Sequence, residues 1–135
     1  MAIKVLDSWA LMAFFNDESA ADEVERLLQQ AAADRHKLLL CVVNWGEIYY
    51  SIMRVDGQAV AEQKVHEIAA LPIEIIGIGE DLVLVRQAAI FKANHRFSYA
   101  DAFAAALAKT RKAELVTGDL EFKQVEGEIK IGWLK

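Results

Sequence analysis

The sequence predicts a single α/β domain: a parallel β-sheet with helices on both faces. Three observations carry that expectation. Five short apolar runs recur along the chain, and segments of helical length separate them, the pattern of parallel strands joined by helical crossovers. The 135 residues hold no repeat, low-complexity tract or linker-like run of Pro, Gly or Ser, so the length fits one domain with a sizeable core. At 55% hydrophobic and 26% charged residues, the composition is globular and not disordered.

In chain order, residues 3–6 form a minimal buried strand and residues 8–16 a helix. Residues 18–32 form a second helix, with Ala21, Val24, Leu27, Leu28 and Ala31 at the spacing of one helical face. Strand two spans 37–42, and a helix follows over 44–53. Trp45, Tyr49, Tyr50, Ile52 and Met53 make that helix apolar around more than one stripe, as in a buried or partner-facing helix. Residues 58–70 are helical, with Val60, Val65, Ile68 and Ala69 broadly on one side. The single proline, Pro72, marks the entry to strand three, 73–78. A long helix spans 80–94. An Ala-rich helix follows over 98–112, its run at 104–106 suited to close approach to a sheet. Strands at 115–117 and 129–133 complete the pattern.

The lone cysteine, Cys41, excludes an intramolecular disulfide. Inside the apolar run 38–43 it reads as a small core residue of a reducing, cytoplasmic compartment. That run is too short to span a bilayer, and an early charge interrupts the N-terminal apolar stretch, unlike a signal peptide. With 20 acidic against 15 basic residues the net charge is −5. This counts against a DNA-binding module that works by a basic surface alone. It leaves open an acidic site that holds cations. The histidines are not at metal-ligand spacings, and His36 and His66 read as surface residues.

In an open parallel sheet, ligands sit beyond the carboxyl ends of strands, so the residues following each strand matter most. Asp7 follows strand one directly, and Asp119 follows strand four in Thr117-Gly118-Asp119. Glu47 lies in the first turn of the helix after strand two. Asp101 lies in the first turn of the Ala-rich helix, after Ser98. Taken singly, each has a structural role: Asp7 and Asp119 as N-caps, Ser98 with Asp101 as a capping box, and Glu47 as a partner of the helix dipole. Taken jointly, three of the four stand in apolar or small-residue surroundings, where lone carboxylates are costly. Converging there, they would repel one another unless a divalent cation sat between them. An all-oxygen donor set suits Mg²⁺ or Mn²⁺ and not Zn²⁺.

These segments, in order, resemble the PIN-domain nucleases, and among them the VapC-like toxins of toxin–antitoxin pairs. The likeness covers essentially the whole chain. It rests on the strand ending Val5-Leu6-Asp7-Ser8, the Glu in the helix after strand two, Asp101 opening Ala102-Phe103-Ala104-Ala105-Ala106-Leu107, and Thr117-Gly118-Asp119-Leu120-Glu121-Phe122. The resemblance implies a five-stranded parallel sheet of order 3-2-1-4-5 and a metal-binding quartet of Asp7, Glu47, Asp101 and Asp119. It implies supporting hydroxyls at Ser8 and Thr117, and at Glu121 an acid near a second metal. The implied activity is Mg²⁺- or Mn²⁺-dependent endoribonuclease cleavage, the implied state a homodimer, and the implied partners an RNA substrate and a cognate antitoxin. The pair Asn44-Trp45 departs from the small apolar residues common before that Glu, with a reshaped substrate groove as the expected consequence.

Lys92, His95 and Arg96 run into the loop before Asp101, where they are placed to guide phosphates; they fit equally well as cations at a helix C-terminus. Trp9, Trp45 and Tyr49 are of a type that stacks bases, and equally of a type found in cores and interfaces. A response-regulator receiver fails for want of a second acid beside Asp7. A haloacid-dehalogenase phosphatase fails because residue 9 is Trp. The remaining alternatives are a PIN-like binding scaffold without strong nuclease activity and a housekeeping RNA-processing nuclease.

Overall fold

A strand bonded on both sides and covered on both faces has to be apolar at its core, and Val5 and Leu6 of β1 (Ala2–Leu6) are fully buried. In the computed structural model, which describes residues 1–80 and 82–135, β1 is the central strand. It is joined by β2 (His36–Cys41), β3 (Ile73–Ile76), β4 (Glu114–Thr117) and β5 (Lys130–Trp133). The order is β3-β2-β1-β4-β5, and every neighbouring pair is parallel. Leu6 is in register with Leu40 on one side and Val116 on the other, so β1, β2 and β4 end together.

Alternation along these strands divides the core in two. Leu6, Leu38, Leu40 and Val116 face α1 (Ser8–Phe15), α2 (Ala21–Ala32), α3 (Val42–Asp56) and α4 (Gln58–Ala69). Val5, Leu39, Cys41 and Leu115 face α5 (Val83–Asn94), α6 (Tyr99–Thr110) and a 3₁₀ helix, Leu120–Val125. Residues 102–108 of α6 are buried around the whole circumference, and four of its alanines are fully buried, so α6 lies close to the sheet with α5 packed along it. Cys41 is a buried core thiol. Among the described residues no helix is long and apolar enough to cross a membrane.

Several expected boundaries shift for physical reasons. The stretch 18–20 is not helical, because the Glu18 N–H completes the end of α1 on Ala13 O (2.9 Å) after Asp17 turns left-handed at φ 51°. The strand expected at 37–42 ends at Cys41, which is already the N-cap of α3; that helix therefore starts before Asn44 and runs to Asp56. β3 ends at Ile76, not at 78. The helix expected over 80–94 starts at Val83, with Leu82 left-handed at φ 62°; position 81 lies outside the described residues. The 3₁₀ helix after β4 is unanticipated. Only one face of α3 is buried, through Ile48 and Ile52, while Tyr50 and Met53 are exposed. His36 is not a surface residue: it is 5% exposed and its Nε2 lies 3.0 Å from Leu27 O, tying β2 to α2.

Candidate metal centre

The sheet reverses its winding between β1 and β4, and the crevice beyond their carboxyl ends is where α/β sheets accept ligands. Asp7 and the turn after Thr117 both open onto it. Asp7 is the N-cap of α1: its Oδ1 accepts from the Ala10 N–H at 3.0 Å, and its Oδ2 accepts from the Thr117 hydroxyl at 2.7 Å. It is 1% exposed. Burial pushes its carboxyl up from 3.8 to about 8, against the lowering pull of those two donors; the nearby Asp101 and Asp119 carboxylates raise it further.

The Thr117 oxygen also accepts from the Asp119 N–H at 3.0 Å, so one buried hydroxyl sets both acids. Asp119 in turn caps the 3₁₀ helix, its Oδ1 accepting from the Glu121 N–H at 3.0 Å. Asp101 sits in the first turn of α6, whose N-cap Ser98 accepts from the Asp101 N–H at 3.1 Å. Burial raises the Asp101 carboxyl to about 6, and the charges of Glu47, Asp119 and Glu121 add to it while Ser98 opposes. The structural roles expected of three of these acids are therefore present: Asp7 and Asp119 are N-caps, and Ser98 caps the turn that bears Asp101.

Asp101, Asp119 and Glu121 each offer a carboxylate oxygen, and these oxygens lie within 4.8 Å of one another. Asp7 and Glu47 stand outside that tight triad but within electrostatic reach of Asp101. Glu47 lies in the second turn of α3, not the first, because the helix begins at Val42. Its Oε1 accepts a short hydrogen bond from the Ser8 hydroxyl. An oxygen-only cluster of this kind, with two carboxyls held above their ordinary range, fits a hard divalent cation.

Three neighbours have roles that the sequence reading missed. Asn44 is fully buried and does not line a groove: its Nδ2 donates to Ser8 Oγ (3.3 Å) and Ala100 O (3.1 Å), bolting α1, α3 and α6 together, while its Oδ1 has no partner among the described residues. The Trp9 indole packs against Gly118 so closely that a Cβ there would clash with its six-membered ring. The glycine between Thr117 and Asp119 was the available signal for that close approach. Gln124 bridges the loop before α6 to the 3₁₀ helix.

The expected phosphate guides are largely committed elsewhere. Lys92 donates to Phe97 O at 2.9 Å, and His95 Nε2 meets Glu128 at 2.9 Å. Arg96 is held through its backbone and is exposed. Trp45 and Tyr49 stack on each other with centroids 5.8 Å apart, half-buried against the α1–α4 side of the core.

The structure is similar to several solved ones. One is the VapBC2 structure from Rickettsia felis bound to a promoter DNA fragment (TM-score 0.74, 15% identity, 98% of this chain and 99% of that one). Another is the DNA-bound VapBC structure from Salmonella typhimurium (TM-score 0.75, 16%, 98% of each). A third is VapC20 of Mycobacterium tuberculosis, described as a sarcin-ricin loop cleaving toxin (TM-score 0.69, 16%, 92% of this chain and 95% of that one). At these identities the likeness is one of fold. No curated protein matches the chain in sequence. The family model described as PIN domain matches residues 4–128.

Proposed function

The chain belongs to the PIN domain family, and from that premise we propose that it is a divalent-metal-dependent endoribonuclease, the toxin of a toxin–antitoxin pair. The observation that carries the reading is the meeting of the Asp101, Asp119 and Glu121 oxygens within 4.8 Å, beside Asp7 and Glu47, at the sheet's switch point. These five acids are the residues that would hold Mg²⁺ or Mn²⁺. Such an ion supplies charge neutralisation at the scissile phosphate and acidifies a water for in-line attack.

The chain's own residues prepare the site. Thr117 orients Asp7 and Asp119, Ser98 positions the start of α6, and Ser8 orients Glu47. Asp7, raised to about 8, holds its proton near neutral pH until positive charge arrives and displaces it. Attack by water and not by the ribose 2′-hydroxyl leaves a 5′-phosphate and a 3′-hydroxyl. Arg96 is the remaining candidate for a phosphate contact. An RNA substrate and the lone buried thiol both accord with action in the cytoplasm. A cognate antitoxin and a homodimeric state complete the reading; the antitoxin accords with the toxin–antitoxin complex among the similar structures.

The test is mapping of cleavage sites in total RNA with Mn²⁺ or Mg²⁺. Wild type should cut, and excess EDTA or Asp101→Asn should abolish cutting while the fold persists. Cleavage by the folded variant, or in EDTA, overturns the reading.

A further inference from the structure

The three acids that meet most closely come from two segments, and their like charges push those segments apart. Asp101 rides on α6 behind the loop 95–98. Asp119 and Glu121 ride on the turn after β4. Between the two runs a side chain that no other part of the site requires. Gln124 Oε1 accepts from the Arg96 N–H at 2.9 Å, and its Nε2 donates to Arg96 O at 2.9 Å. The second Nε2 hydrogen goes to Glu121 O, also at 2.9 Å. One amide thus pairs with both backbone groups of Arg96 and anchors the backbone of Glu121.

From Arg96 the chain runs through Phe97 to Ser98, whose hydroxyl caps the turn bearing Asp101. From Glu121 the link runs back through its own N–H to Asp119 Oδ1. Below the amide, Phe97 and Phe122 pack with centroids 5.8 Å apart, and His95 meets Glu128 at the outer edge. The apolar pair holds the two segments together without directional preference. The amide's three bonds are directional and set how the two backbones are registered at the acids.

We propose that Gln124 is a positioning residue of the metal centre, fixing the separation of Asp101 from Asp119 and Glu121 against their mutual repulsion. The proposal rests on the nuclease reading above. Residues that orient a metal's ligands typically alter affinity by about 10–100-fold when removed. Gln124 is exposed, so its loss leaves the core intact.

The experiment compares wild type, Gln124→Met and Gln124→Glu. Met keeps the length and removes all three bonds. Glu keeps the acceptor for Arg96 N–H and loses both donations. Mn²⁺ affinity by titration calorimetry and RNA cleavage against Mn²⁺ concentration are the readouts, with thermal unfolding in EDTA as the fold control. Both variants should bind Mn²⁺ about tenfold or more weakly and require correspondingly more Mn²⁺ for cleavage. Their rate at saturating Mn²⁺ should approach that of wild type. A lowered melting temperature with unchanged Mn²⁺ dependence makes Gln124 merely structural and overturns the proposal. Should Gln124→Met fail to fold, Gln124→Glu decides. A wild type that neither binds Mn²⁺ nor cleaves overturns the nuclease reading instead, and this proposal with it.

Discussion

The Thr117 hydroxyl lies 2.7 Å from Asp7 Oδ2, joining the ends of two neighbouring parallel strands at the point where the sheet reverses its winding. The same oxygen receives the Asp119 N–H. A single buried side chain therefore decides both where the first acid points and where the turn carrying the last acids begins.

Thr117→Val keeps the shape and removes both bonds. Asp7 loses its strongest lowering influence, and the Asp119 N–H loses its acceptor. Stability should fall by about 1–3 kcal/mol, the cost of leaving buried polar groups unpaired, and Mn²⁺ affinity should fall with it. Urea unfolding and Mn²⁺ titration measure the two effects. Thr117→Ser retains the hydroxyl and should recover most of both. If the valine variant matches wild type in Mn²⁺ binding, the hydroxyl has no part in setting the acids.

Gly118→Ala should disturb the site from the other side. A methyl group there would clash with the Trp9 ring, and Trp9 is a rigid, half-buried side chain two residues after Asp7. Either the ring or the turn between Thr117 and Asp119 has to move, at an overpacking cost of about 1–3 kcal/mol. Cleavage should drop because both Asp7 and Asp119 adjoin the displaced groups. Trp9→Leu combined with Gly118→Ala makes room and should restore stability relative to Gly118→Ala alone. Additive losses in thermal unfolding would contradict the contact.

Asp7, Asp101 and Asp119 stand out because each lies just after a strand or in the first turn of a helix, positions that follow from the order of elements alone; Glu47, a turn further into α3, does not share that signal. Asp7 and Asp119 illustrate why a cap and a candidate ligand look alike in sequence: each uses one oxygen as an N-cap. The strand order came with the family resemblance, since hydrophobic periodicity carries no information on which strands pair. Helix ends were less legible because the left-handed residues that close α1, α2 and α6 are Asp17, Asp34 and Lys112, where a glycine would have marked the stop. Gln124 could not be read at all, and Asn44 reads only as a residue that reshapes the groove. Asn44 reaches Ser8 and Ala100 and Gln124 reaches Arg96, partners 28 to 56 residues away that local sequence does not indicate. Lys92 and His95, which the sequence placed equally as phosphate guides or as helix-end groups, hydrogen-bond Phe97 O and Glu128.

The raised carboxyls fix the sign of a pH dependence. Burial lifts Asp7 from 3.8 to about 8 and Asp101 from 3.8 to about 6. Between the unfolded and folded values the metal-free folded chain holds protons that the unfolded chain has released, so stability falls as pH rises. The stabilising contribution is complete below about pH 4; the part from Asp101 is lost through about pH 6 and the part from Asp7 through about pH 8. Asp7→Asn removes the larger titration. In EDTA its melting temperature should exceed that of wild type at pH 8, with a flatter slope between about pH 6 and about pH 8, even though cleavage is lost. Mn²⁺ binding displaces those protons, so it should stabilise wild type more at pH 8 than at pH 6 and should stabilise Asp7→Asn much less. Thermal unfolding at several pH values, with and without Mn²⁺, reads all of these. Parallel slopes for the two proteins in EDTA would mean that Asp7 is already ionised in the metal-free fold.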